Sequence, residues 1–149
     1  MCRDCATVNS FHKRLSKIEE QEDGLPELIN RLDFLISKWV RYSAKGADGL
    51  TECFTCRKRY NPSELDAGHY ITRDCQYLRF DVARNIRPQC RHDNRGKYGL
   101  AAEFGKRLEE ENPGSTEILL EESRIIHKWT RDELKQMILD FEQKLKQLK

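Results

Sequence analysis

The sequence has no long hydrophobic run. No apolar stretch approaches the roughly 18 residues that a membrane span needs, which excludes a transmembrane helix. No secretory signal is expected either. The first ten residues, MCRDCATVNS, lack a charged start followed by an apolar stretch. Internal repeats and low-complexity segments are absent. Hydrophobic residues make up 38% and charged residues 35% of the 149-residue chain. The charged share of a globular protein is usually about a quarter. So polar a chain points to helices with much exposed surface, or to partners that cover them. Six cysteines in a chain of this kind suggest metal or structural thiols before disulfides.

The net charge of +2 hides a pattern. Residues 1–52 carry 8 basic and 9 acidic groups, and residues 108–149 carry 7 and 10. Residues 53–107 carry 12 basic and 6 acidic groups, net +6. A local basic block is the footprint of a nucleic-acid site, and equally of a solvated surface.

Helices flank this block. Phe11, Leu15 and Ile18 fall at helical spacing. Gly24 breaks that pattern and Pro26 restarts it. Leu28, Leu32, Leu35, Ile36 and Trp39 form one apolar stripe, whose bland reading is core. On the C-terminal side, Leu100, Phe104 and Leu108 suit a helix that ends at Asn112-Pro113-Gly114. Ile118 to Ile126 suggest a second helix. Thr130 and Glu133 form a capping box for a third, which carries Leu134, Ile138, Phe141, Leu145 and Leu148 at heptad spacing. That stripe serves either packing within the chain or self-association. Residues 53–97 have little apolar periodicity and read as a unit that a metal must hold together. The expected organisation is therefore a helical segment over 1–46, a metal-stapled core over 47–111 and helices over 112–149.

Cys53-Phe54-Thr55-Cys56 is a C-x-x-C knuckle, whose two sulfurs can grip one tetrahedral zinc. Cys90 offers a third sulfur. Three residues on, where a fourth cysteine would close the site, stands Asp93, with His92 beside it as the rival ligand. Cys75 has no place in this set. Cys2 and Cys5 form a second, weaker knuckle, with His12 or Cys75 as complements.

Inside the cysteine frame lie Asp66-Ala67-Gly68-His69-Tyr70, then Leu78-Arg79-Phe80, Asn85, Gln89-Cys90 and Asp93-Asn94-Arg95-Gly96-Lys97. This order resembles the HNH, or His-Me finger, endonucleases. It is similar in more detail to the phage NinG (lambda Rap) recombination proteins, over roughly residues 28–149. The resemblance implies an α+β fold, with a small ββα-metal core and a zinc knuckle flanked by long helices. It implies a metal-dependent, structure-selective endonuclease acting on Holliday junctions and branched DNA. It also implies a homodimer, a phage or prophage origin and a cytoplasmic location.

On that resemblance His69 is the general base, Asn94 a ligand for catalytic Mg²⁺ or Mn²⁺, and Asn85 the brace of the loop that presents His69. Asp66 is a further candidate ligand, and structural Zn²⁺ occupies the cysteine site. Arg87, Arg91, Arg95 and Lys97 are candidate phosphate contacts. Many relatives carry a metal-binding Asp or His directly before the catalytic histidine, where this chain has Gly68. The competing readings are a non-catalytic zinc-stapled DNA-binding module and a nuclease without structural preference.

Overall fold

The computed structural model describes residues 23–148. The N-terminal stripe of Phe11, Leu15 and Ile18, and the Cys2, Cys5 and His12 set, lie outside these residues.

Helix α1 spans Leu25–Ser43. It begins where the sequence places it: Gly24 is the cap and Pro26 sits in the first turn, where a missing N–H costs no helical bond. Leu28, Leu32, Ile36 and Val40 recur every fourth residue and are all buried. Helix α5, Arg131–Gln147, starts from the capping box. Thr130 accepts from the Glu133 N–H, and the Glu133 carboxylate accepts from the Thr130 N–H.

The two helices pack against each other. Leu134, Ile138 and Phe141 of α5 share a core with the α1 stripe, with Phe80 and with Ile86. Each such burial stabilises by about 1.5–3 kcal/mol. Phe141 meets Trp39 edge-on, with ring centroids 5.7 Å apart. The buried part of the heptad stripe is thus used within the chain, and Leu148 stays exposed.

The middle of the chain forms two small antiparallel sheets. Strands β1 (Thr51–Glu52) and β2 (Arg59–Tyr60) flank the knuckle. Strands β3 (Leu65–His69) and β4 (Ile86–Cys90) pair with Leu65 opposite Cys90 and His69 opposite Ile86. Helix α2, Arg91–Gly96, follows β4 directly. This region holds more core than its sequence suggests. Leu78 is completely buried with Phe54, Phe104, Leu108 and Leu119, the last three contributed by helices α3 (Ala101–Glu111) and α4 (Ser115–Glu122). Helix α4 stops short of Ile125 and Ile126, and both are exposed. The architecture is mixed α+β, with long helices around two two-stranded sheets. Among the described residues no helix is long and apolar enough to cross a membrane.

Candidate active site and metal centre

The knuckle turn is tightened by Arg57, whose φ of 62° is left-handed and whose N–H donates to the Cys53 carbonyl at 3.0 Å. The Phe54 N–H donates to the Pro88 carbonyl at 2.8 Å, which fastens the turn to β4. Cys90 ends β4, and Asp93 lies in the first turn of α2. One ligand atom from each of Cys53, Cys56, Cys90 and Asp93 lies within 4.8 Å of the others. The Cys56 and Cys90 sulfurs are 4.0 Å apart. A tetrahedral zinc with bonds of about 2.3 Å spaces its sulfurs by roughly 3.8 Å. The four donors therefore fit a metal such as zinc, and the sulfur separation is far too long for a disulfide.

Asp93 is oriented for this place. Its Oδ2 accepts from the Thr55 hydroxyl at 2.8 Å, and the residue is 3% exposed. The rival ligand His92 has its side chain 72% exposed, lies 3.1 Å from Asp93 Oδ1 and is not among the four clustered donors. Burial is the main influence on the Cys90 thiol and pushes it up to about 11. Burial also acts on Cys53, but hydrogen bonds from Thr55 and neighbouring backbone N–H groups outweigh it and hold that thiol low. Cys75 stands apart, half-buried against the Phe54–Phe104 core, with its sulfur 3.6 Å from the Ser123 carbonyl.

A cleft of about 710 Å³ opens on the other side of α2. Strand β3 supplies Asp66 and His69, α2 supplies Asn94 and Arg95, and α1 supplies Asp33 and Ser37. His69 Nε2 lies 3.0 Å from the Arg79 carbonyl. A carbonyl can only accept, so Nε2 carries the proton and Nδ1 keeps its lone pair. Burial is the main cause that lowers the His69 pKa, opposed by the Arg79 and Ala67 carbonyls and by Asp33. The ring is therefore a neutral base at neutral pH.

Asn94 Nδ2 donates to Asp66 Oδ2 at 3.0 Å, leaving Oδ1 as the amide's electron-pair donor. Arg95 grips the same carboxylate, with Nε donating to Oδ2 and Nη2 to Oδ1, each at 2.7 Å. Burial alone would raise the Asp66 pKa, but the Arg95 and Asn94 contacts prevail and lower it.

Asn85 is completely buried beneath the loop that follows His69 and does not line the cleft. Its Oδ1 accepts from the Ile71 N–H at 2.7 Å, and its Nδ2 donates to the Ile71 and Leu78 carbonyls at 2.9 and 3.0 Å. It closes the loop that carries Arg79. Gly68 precedes His69 because nothing larger fits: a Cβ there would lie 2.3 Å from Gln89 Oε1 and 3.0 Å from Gln89 Cβ. The missing ligand at that position thus has a packing cause. Gln89 is itself buried, and its amide donates to Thr55 Oγ1 at 3.2 Å and to the Gly99 carbonyl at 2.8 Å.

The four candidate phosphate contacts separate. Arg95 lines the cleft. Arg91 is exposed, donates to the Ser63 carbonyl at 2.7 Å and lies 3.9 Å from Asp66. Lys97 is exposed. Arg87 sits apart: its guanidinium pairs with Glu111 at 2.9 Å and lies over the Phe54 ring. Asp33, Ser37, Thr72, Arg73 and Tyr98 also line the cleft. The spacing of the motif gives no sign of them.

The Bacteriophage Lambda NinG protein family matches residues 7–149 of this sequence. The chain belongs to the phage lambda NinG family. A curated relative, Protein ninG of Salmonella phage P22, is 34% identical over 121 residues, covering 76% of this chain. The match spans 59% of that NinG protein's own length. No solved structure matches the chain.

Proposed function

We propose that this NinG family chain is a metal-dependent DNA endonuclease that cuts branched DNA, Holliday junctions foremost. One observation carries the reading. His69, its Nε2 fixed on the Arg79 carbonyl, lines a cleft that also holds Asn94, Asp66 and a guanidinium. The antiparallel pair β3–β4 followed directly by α2 supports this reading, and the basic segment around it suits a polyanion.

The histidine takes a proton from water through Nδ1. The water oxygen bonds to phosphorus as the bond from phosphorus to the leaving sugar oxygen breaks, and that oxygen is later protonated. The backbone carbonyl behind Nε2 steadies the imidazolium that forms. Arg95 and Arg73 offer charge to the phosphate. Asn94 Oδ1 and the Asp66 carboxylate are hard oxygen donors, which suit Mg²⁺ or Mn²⁺ rather than a second zinc. Such an ion, when bound, neutralises charge on the phosphate and the leaving oxygen. The Cys3Asp site would hold zinc as a staple. Two symmetric cuts require two such clefts, so a two-fold homodimer is the proposed working form. A phage-encoded chain acting in the cytoplasm of its bacterial host fits this task.

A second reading is a zinc-stapled module that holds DNA without cutting it. The Asp66–Arg95 pair favours it, because it occupies the carboxylate that a divalent ion would use. One experiment separates the two. The purified chain and His69→Ala are incubated with a four-way junction and a matched linear duplex, with and without Mg²⁺ or Mn²⁺. Paired cuts by the wild type in the junction alone, lost in the variant, support the resolvase. Equal cutting of both substrates leaves a nuclease without structural preference. Binding without cleavage under every metal leaves the DNA-holding module.

A further inference from the structure

Tyr98 is 100% exposed, at the lip of the cleft. Its backbone is left-handed, with φ of 52°, and Gly99 and Leu100 follow at 73° and 47°. Only glycine adopts this region without steric conflict, so the turn places two bulky residues, Tyr98 and Leu100, in a disfavoured conformation on either side of Gly99. It is nevertheless held firmly. The buried Gln89 amide donates to the Gly99 carbonyl from beneath at 2.8 Å, and the Leu100 N–H donates to the Lys97 carbonyl at 3.0 Å. The result is an aromatic ring that contributes nothing to the core, raised on a fixed turn. Asn94 and Arg95 share its cleft, and exposed Lys97 precedes it. Strained turns that present an exposed side chain cluster at functional sites.

We propose that Tyr98 is a stacking platform for a nucleobase that has lost a stacking neighbour, as at the branch point of a junction. The proposal rests on reading the cleft as a nuclease site and adds the feature by which that site would recognise branched DNA. The cleft's Arg95 and Arg73 stand beside Asp66 and Asp33, so it is the bare aromatic face next to exposed Lys97 and Arg91 that favours a nucleic acid over a protein partner. A base inside a continuous duplex has both faces covered. A base at a branch or in a single strand offers a free face to an aromatic ring.

The test compares the wild type with Tyr98→Leu, Tyr98→Phe and Tyr98→Trp in the absence of Mg²⁺, so that binding alone is read. The substrates are a four-way junction with 2-aminopurine at the branch point and a linear duplex of the same sequence. The wild type and the two aromatic variants should change the 2-aminopurine fluorescence and prefer the junction. Tyr98→Leu should lose the fluorescence change, and its junction-to-linear affinity ratio should fall by about 5- to 160-fold, the effect of one stacked base. Its thermal midpoint should match the wild type, since the ring buries nothing. An unchanged ratio in Tyr98→Leu overturns the proposal, as does an equal loss in Tyr98→Phe or a lowered midpoint. Wild-type binding to neither DNA is a distinct result: it overturns the nuclease reading itself, and the stacking platform with it.

Discussion

Asp33 on helix α1 holds the Arg79 guanidinium at 2.5 and 3.3 Å. The carbonyl of the same arginine fixes His69 Nε2. A helix remote in sequence from the motif thus orients the imidazole through one intermediate residue, which makes Asp33 a positioning residue on the proposed mechanism. Asp33→Asn should lower the cleavage rate by up to about 100-fold, the cost of a base misplaced by about 1 Å. Asp33 also supports the charged form of His69, so its neutralisation should move the acid limb of the pH–rate profile to lower pH. A reduced rate with an unmoved limb would reduce Asp33 to a packing role.

The His69 pKa lies below its ordinary 6.5, chiefly through burial. Cleavage should therefore persist somewhat below pH 6.5 and fall as the ring takes up a proton. The same depression links to stability. The unfolded chain binds the proton more readily, so the contribution of His69 is intact above pH 6.5 and is lost as pH falls through the folded value. His69→Gln should therefore lose less stability than the wild type between pH 7 and pH 5 in chemical denaturation. Parallel losses in the two proteins would contradict this linkage.

The four-donor site makes a compositional prediction. The purified chain should carry one zinc, and Cys90→Ser or Asp93→Ala should carry substantially less. Removing one partner from a buried charged set costs about 3–5 kcal/mol. Asp93→Cys completes a four-sulfur site and should keep the ion, whereas His92→Ala should leave zinc content unchanged. Metal analysis beside urea denaturation checks this. A His92→Ala variant that loses zinc while Asp93→Ala keeps it would reverse the assignment.

Gly68→Ala drives a methyl group into a fixed amide, because Gln89 is held at both ends of its Nε2 bonding. Overpacking of this kind costs about 1–3 kcal/mol. Adding Gln89→Ala should recover part of that cost, so the two changes should be non-additive in a double-mutant cycle. Additive losses would show that the contact is not what excludes a side chain at position 68.

Local spacing made several features legible in the sequence. Pro26, the Thr130–Glu133 box and the Cys53–Cys56 knuckle each act within a few residues of chain, and each stands where the pattern places it. Cys90 and Asp93 were readable because they keep a knuckle's register. The opposite wall of the cleft was not. Asp33 and Ser37 reach it only because the α1 stripe packs on Phe80, Ile86 and α5, a tertiary result that no local period encodes. Arg87 looked available until Glu111, far along the chain, claimed it. The core around Leu78 was hidden for the same reason: its partners Phe104, Leu108 and Leu119 come from helices downstream of the motif.

Asp93 and Asn94 are adjacent on one short helix, the first in the four-donor site and the second in the cleft. An ion held by Asp93 would therefore also brace the turn that carries Asn94, so filling the four-donor site would pre-set one wall of the cleft through a single helix.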